Sequence, residues 1–297
     1  MPDGVLRVVQ LNAASLLEPR WDERRHEIVA WLVQLQPDVV CLEEIWHDER
    51  TQNTAGWIVE QTPDLDFYWT FGGEPFSEHF WPDHSLRFGS AVLSRWPIDH
   101  HAHHRLPIVA DDGDPVAAGI PWELVHAHTA GLDVFACHLA PAPTHGLHRR
   151  VQVLAIDGII RASRGALDDN PPFPNKRDGM PPILCGDFNA EPDSDEIRFL
   201  CGLTPLDGRT TYYQDTWRVA GDGPGYTQGW RGNPIAAAMN VPRKRIDYVF
   251  VGDPFQRRDD AGRILSAELA FHTSLTGVLA SDHTGLVVDV VWPQRPE

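Results

Sequence analysis

Apolar positions recur along this chain with two different periods, and the two alternate from one end to the other. Val5 to Leu11 is a short apolar run bounded by polar residues, which predicts a buried strand. Across Trp21 to Gln36 the residues Ile28, Trp31, Leu32 and Leu35 fall on one face at helical spacing. Asp38 to Leu42, entered through Pro37 and rich in β-branched and apolar side chains, predicts a central strand whose end delivers Glu43 and Glu44. A second helix is expected over Thr51 to Gln61.

From Phe67 the pattern turns to strands: Phe67 to Phe71, Gly89 to Leu93, Ile98 to His104, Trp122 to His128 and Leu132 to Cys137. His145 to Ser163 reads as a helix with Leu147, Val151, Leu154 and Ile159 as its stripe. Ile183 to Cys185 is another core strand, Ser194 to Leu200 a short helix, and Ile246 to Val251 and Leu286 to Val291 complete the set. Helices interleave with strands in both halves. The economical architecture is α/β, a four-layer α/β/β/α sandwich of two packed mixed sheets flanked by helices, with residues 1–297 as a single domain. Gly72 to Phe88, Asp168 to Pro182 and Gly221 to Arg243 are rich in Gly, Pro or polar residues and are expected to be functional loops.

Composition narrows the function. With 297 residues, 42% hydrophobic and 23% charged, the chain can bury a sizeable core and falls outside the disordered class. A formal net charge of -17 repels a polyanion at long range, so duplex nucleic acid is a disfavoured though not excluded substrate. Part of that charge can belong to a divalent-metal site, which is itself built from acids. Four cysteines without a CxxC pair are expected to be buried free thiols, which fits a reducing cytoplasm better than a zinc site or disulfides. The start of the chain lacks the form of a signal peptide, and nothing reaches the roughly 20 apolar residues of a membrane span. A cytoplasmic location is expected.

The strongest local signal for chemistry is Leu184-Cys185-Gly186-Asp187-Phe188-Asn189, where a buried strand ends in a glycine and presents an acid and an amide two residues apart. Asp187 could hold or deprotonate a water, and Asn189 could donate to a phosphoryl oxygen, although a plain Asx turn would look the same. Other strands end similarly: Asn12 follows the first, Glu44 the second, His138 follows Cys137, and Ser281-Asp282-His283 precedes the last. Each alone reads as a turn residue, a solvated acid or a core histidine. Their recurrence at core-strand ends is not a chance pattern.

In order, Leu11-Asn12, Leu42-Glu43-Glu44, Gly89 to Arg95, Cys137-His138-Leu139, Gly186-Asp187-Phe188-Asn189, Arg245-Ile246-Asp247-Tyr248 and Ser281-Asp282-His283 resemble the endonuclease/exonuclease/phosphatase superfamily. The resemblance spans nearly the whole chain. It implies a metal-dependent hydrolase that cleaves a small or medium-sized phosphate ester, diester or monoester, by in-line attack of an activated water. Glu44 would be a direct Mg2+ ligand, with Mn2+ as a substitute, Asn12 beside it and Asp282 near the metal. Asp187 would orient or activate the water, Asn189 and His138 would stabilise phosphoryl oxygens, and Asp247 would hold His283. Whether Asp187 or His283 takes the proton is left open. His138 stands where abasic-site endonucleases of this family carry tyrosine.

The family usually has glutamine where this chain has Glu43. Strand alternation should let only one of the two glutamates face the site, and register with Leu42 and Ile45 favours Glu44. Arg149 and Gln152 match a spacing seen in several branches, but an exposed helix face explains them equally well. His100, His101, His103 and His104, with His126 and His128, invite a transition-metal site; alternation splits the four, and a solvated hairpin is expected. The aromatic stretch Phe76 to His84, with Trp230, could wall a substrate or simply cover a sheet edge. A nuclease and a non-catalytic binding module on the same scaffold are the alternatives.

Overall fold

The computed structural model describes residues 4–80, 83–109, 113–163, 178–229, 233–238, 242–252, 255 and 257–296. Twelve strands are present among them: β1 (Val5–Asn12), β2 (Val39–Asp48), β3 (Tyr68–Pro75), β4 (Leu86–Ser94), β5 (Ile98–Arg105), β6 (Glu123–Thr129), β7 (Leu132–His138), β8 (Ile183–Asp187), β9 (Tyr213–Asp215), β10 (Asp247–Gly252), β11 (Ile264–Ala270) and β12 (Gly285–Val291). The α-helices are α1 (Trp21–Leu35), α2 (Thr54–Glu60), α3 (Pro115–Gly119), α4 (Gly146–Ser163), α5 (Asp195–Leu200), α6 (Thr216–Ala220) and α7 (Pro234–Ala238).

The strands form two six-stranded sheets, ordered β11-β12-β1-β2-β4-β3 and β5-β6-β7-β8-β10-β9. Only β1–β2 and β7–β8 pair in parallel, so each sheet is mixed. Period-two alternation decides the layers. Val8, Cys41, Val134, Ala136, Cys185, Val249 and Val288 meet in the core between the sheets. Val9, Leu11, Val40 and Leu42 point the other way and pack with Ile28 and Leu32 of α1 and Ile58 of α2. Phe135, Leu184 and Phe250 do the same against Val153, Ile156 and Ile160 of α4 and Ile197 of α5. The result is the expected four-layer sandwich.

Several local expectations shift. The buried face of α4 is His148, Arg149, Gln152, Val153, Leu154, Ile156, Asp157 and Ile160, so of the predicted stripe Leu154 is buried, Val151 and Ile159 are half-buried and Leu147 is exposed. The segment Gly72 to Phe88, expected as a loop, is strand at both ends, since β3 runs to Pro75 and β4 starts at Leu86. Within it Phe76 is buried against Trp46 and Phe88, as a cover, whereas Trp81 and Trp230 lie outside the described residues. Most of Asp168 to Pro182 lies outside them too. All four cysteines are free and buried. Among the described residues no helix is long and apolar enough to cross a membrane.

Candidate functional site

The columns of side chains that pack the two sheets together turn polar at one end of the sandwich. On β1 the column Leu6, Val8 continues as Gln10 and Asn12; on β2 Val39, Cys41 continues as Glu43. In the second sheet Val134, Ala136 leads to His138, Ile183, Cys185 to Asp187, and Val251, Val249 to Asp247. Gln10, Asn12, Glu43, Asp187 and Asp247 are each no more than 1% exposed. Gly186 permits this closeness: a Cβ there would stand 2.0 Å from the Cys137 carbonyl oxygen of the neighbouring strand.

Glu44 reaches the same place by a different route, which corrects the alternation argument. Glu43, not Glu44, continues the inward column. The β2–β4 register is interrupted between Leu42 and Ile45, and Glu44 takes a left-handed φ of 55°. The irregularity re-aims Glu44 at the site instead of the helix layer, so both glutamates face it.

Amide and imidazole groups join the acids. Asn12 donates both amide hydrogens, to Glu44 Oε1 and to Asp187 Oδ2, each at 3.0 Å, and accepts from the Ala14 N–H. His283 Nδ1 bonds Asp247 Oδ2 at 2.9 Å, and its Nε2 lies 3.8 Å from both Asp187 Oδ2 and Asp282 Oδ2. His138 Nε2 stands 3.7 Å from Asp187 Oδ2 and 3.9 Å from Glu44 Oε1. Its Nδ1 is buried with no hydrogen-bond partner among the described residues. Asn189, at a left-handed φ of 48°, gives one amide hydrogen to Leu139 O and its backbone N–H to Asp187 Oδ1. All eight residues singled out in the sequence thus gather at one end of the sandwich.

The electrostatics are those of an acid-rich pocket. Burial, then the charge of Asp282, pushes Glu44 up to about 7. Burial and then Asp247 raise Asp187 as well. Burial pushes His138 down to about 3, helped by His283, so its imidazole is neutral. For His283 burial works against the charge, but Asp247, Asp282 and Asp187 outweigh it and raise its pKa well above the ordinary value. Carboxylates that hold one another up in this way are a set that a divalent cation neutralises, and hard oxygen donors suit magnesium or manganese. One ligand atom each from Asp187, Asp247 and His283 also lie within 4.8 Å of one another.

Several supporting residues were not foreseen. Gln10 Nε2 donates to Glu43 Oε2 at 2.7 Å and to Asp247 Oδ1 at 3.0 Å; a polar residue in an apolar run was its only signal. Arg24, 1% exposed, donates to the carbonyls of Ala13, Ala14, Ser15, Glu18, Pro19 and Ala280, which fixes the loop after Asn12 and the approach to Asp282. Nothing in the helical pattern marked it. The Gln228 amide lies 3.2 Å from His283 Nε2. Arg149 and Gln152 are buried, not exposed: Arg149 bonds Glu196 and the Ala140 and Ala142 carbonyls, and Gln152 accepts from the Ala140 N–H, so both hold the loop after His138.

A four-layer sandwich with acids, amides and two histidines at the ends of its central strands defines a class of phosphoester-cleaving scaffolds. Residues 9–283 match the Endonuclease/Exonuclease/phosphatase family, and the chain belongs to it. Members are generally divalent-metal-dependent phosphoesterases and nucleases. Solved structures share the fold: the endonuclease/exonuclease/phosphatase from Bacteroides vulgatus has 16% identity and a TM-score of 0.67, with 97% of this chain and 99% of that one covered. The human Nocturnin catalytic domain with bound sulfate anion has 19% identity and a TM-score of 0.66, covering 96% and 94%. Truncated Caenorhabditis elegans TDP2 has 16% identity and a TM-score of 0.65, covering 97% and 98%. No curated protein matches the sequence.

Proposed function

We propose that this chain is a Mg2+-dependent phosphoesterase that hydrolyses a small or medium-sized phosphate ester by in-line attack of water. The observation that carries the reading is the Asn12 amide, which ties Glu44 of the first sheet to Asp187 of the second at 3.0 Å each. That bridge sets a metal-binding acid and a water-activating acid side by side. Glu44, with Asn12 beside it and Asp282 near, would hold the ion, which when bound supplies charge stabilisation to a phosphoryl oxygen.

The remaining work falls to the chain's own groups. Asp187 orients the attacking water and takes its proton. His283, kept cationic by Asp247, donates from Nε2 to a phosphoryl oxygen as negative charge builds there. This divides the two roles between the groups: an imidazole already protonated is a poor base. His138, neutral, donates from Nε2, and Asn189 has a second amide hydrogen for the same purpose. A groove lined by Glu18, Pro19, Arg24, Ile235, Val278 and Leu279, about 590 Å³, adjoins the loop that Arg24 fixes and suits a partly apolar leaving group of modest size. The net charge of -17 favours such an ester over duplex nucleic acid.

The test is a panel of nucleotides, inositol phosphates, sphingomyelin, a chromogenic diester and nucleic acids, assayed with stripped enzyme and added Mg2+. Metal-dependent release from a small ester, abolished in Asp187→Asn, supports the reading. Preference for duplex DNA would replace it with a nuclease, and inactivity on every ester would leave a binding module.

A further inference from the structure

The device that builds the centre, an inward column ending in a polar residue, is repeated on two strands that the centre does not use, and an edge strand adds a histidine beside them. On β6 the column Ala127, Val125 ends in Glu123; on β5 His103 pairs with Val125 in register; on β3 the column Thr70, Gly72 ends in Glu74. We infer that Glu74, His103 and Glu123 form a second metal site, which takes a first-row divalent transition ion, zinc foremost, and clamps the edge of one sheet to the edge of the other.

One ligand atom from each of the three residues lies within 4.8 Å of the other two. The Glu123 side chain is only 3% exposed, and among the described residues its one hydrogen-bond or ion-pair partner is His103 Nδ1, at 3.3 Å. A buried carboxylate held by a half-exposed imidazole, with a second carboxylate close by, is short of positive charge. Gly72 leaves the room: a Cβ there would stand 2.7 Å from His103 Cβ and 3.4 Å from Glu123 Oε2. One imidazole nitrogen with two carboxylates is a mixed donor set that suits zinc or a similar ion better than magnesium. His103 is exposed enough to admit the ion from solvent.

The histidine-rich strand therefore contributes one ligand, not four. His100 pairs with His128 and faces away from His101 and His103, as alternation requires, while His126 and His128 both bond Asp133 Oδ1. That outer histidine face is the rival binder, and the experiment must separate it.

Zn2+ is titrated calorimetrically into the Glu44→Gln/Asp187→Asn variant, whose primary centre is disabled, and melting is followed in parallel. One equivalent should still bind and raise the Tm. His103→Gln and, separately, Glu123→Gln should abolish that binding, and His126→Gln should leave it intact. The site is overturned if binding vanishes in the disabled-centre variant, survives His103→Gln, or disappears with His126→Gln. His103 is half-exposed at a sheet edge, so its variant stays folded and decisive even if Glu123→Gln does not.

Discussion

The two sheets are built alike at their centres and finish differently. Each has one parallel pair, β1–β2 or β7–β8, joined by a segment that carries a helix onto the outer face, α1 or α4. The first sheet ends in Asn12, Glu43 and Glu44, with Asp282 ahead of β12; the second ends in His138, Asp187, Asn189 and Asp247. On the proposed reading the first sheet supplies the metal ligands and, next to Asp282, His283, while the second supplies most of the groups that handle protons. At this end Asn12 bonds Asp187, and Gln10 and His283 bond Asp247, across the gap between the sheets. On that reading a common strand-end device serves two chemistries, and the face-to-face packing brings them to one point.

The largest expected effect breaks the second sheet's half. Asp187→Ala should lower kcat by about 10²–10⁴-fold, the range for loss of a positioned acid–base group, with the Mg2+ concentration for half-maximal activity little changed. Circular dichroism melts check that the fold persists. A melting temperature far below that of the parent would make Asp187 structural.

Breaking the first sheet's half should look different. Chelation should abolish activity and added Mg2+ or Mn2+ restore it, while Glu44→Gln should shift the half-maximal Mg2+ concentration upward by about tenfold or more at partly retained kcat. Full activity in stripped enzyme would refute the metal requirement.

The bridge between the halves is tested by a cycle. Asp247→Asn and His283→Ala should each lower kcat/KM by roughly 10²-fold, and the double variant should be scarcely worse than the worse single one, because the two act as a unit. Multiplicative losses would separate them.

What sequence could disclose follows from what repeats locally. The layers were legible because period two and period 3.6 mark which face of each element is apolar, and the strand-end residues stood out as polar groups closing apolar runs. The turn at Glu44 was not legible. A strand irregularity has no periodic signature, so alternation assigned one glutamate to the site where the structure brings both. Arg24 was hidden for another reason: five of its six carbonyl partners come from the irregular loop just before α1 and the sixth from Ala280, and only the fold turns them all toward one guanidinium. The α4 stripe was only partly right, with Leu154 buried and Leu147 exposed, because α4 also buries Arg149 and Gln152, polar residues that a hydrophobic pattern discounts.

A smaller effect sharpens the charge imbalance of the first sheet. Glu44 is raised from 4.5 to about 7 in the metal-free fold, so between those pH values the native state keeps a proton that the unfolded chain has released. Its contribution to stability is therefore present below pH 4.5 and lost as pH rises through 7. The Tm of metal-free protein, minus that of Glu44→Gln, should fall across this window. Saturating Mg2+ should reverse the trend, since the ion binds only the deprotonated native carboxylate. A difference flat with pH would mean that Glu44 is not perturbed.

The smallest expected effect concerns Glu43, the acid that replaces the family's usual glutamine. Glu43 is wholly buried, and burial, with Cys41, Asp247 and Asp187 adding to it, raises its pKa well above the ordinary carboxylate value. Its Oε2 accepts from Gln10 Nε2, and its Oε1 has no hydrogen-bond partner among the described residues. A glutamine keeps the accepting oxygen and the shape, and it exchanges an acid whose ionisation burial opposes for an amide that carries no charge at any pH. Glu43→Gln should therefore leave kcat within about twofold and remove the part of the loss of stability at high pH that comes from ionising a buried acid. Glu43→Ala, in contrast, leaves a cavity and strips Gln10 of one acceptor, which should cost about 2–3 kcal/mol by the usual range for such truncations and blur the position of Asp247. Urea melts at pH 7 and 9 separate the cases. A large kcat loss in Glu43→Gln would show that the carboxylate itself takes part, and would move the division of roles between the two sheets by one residue.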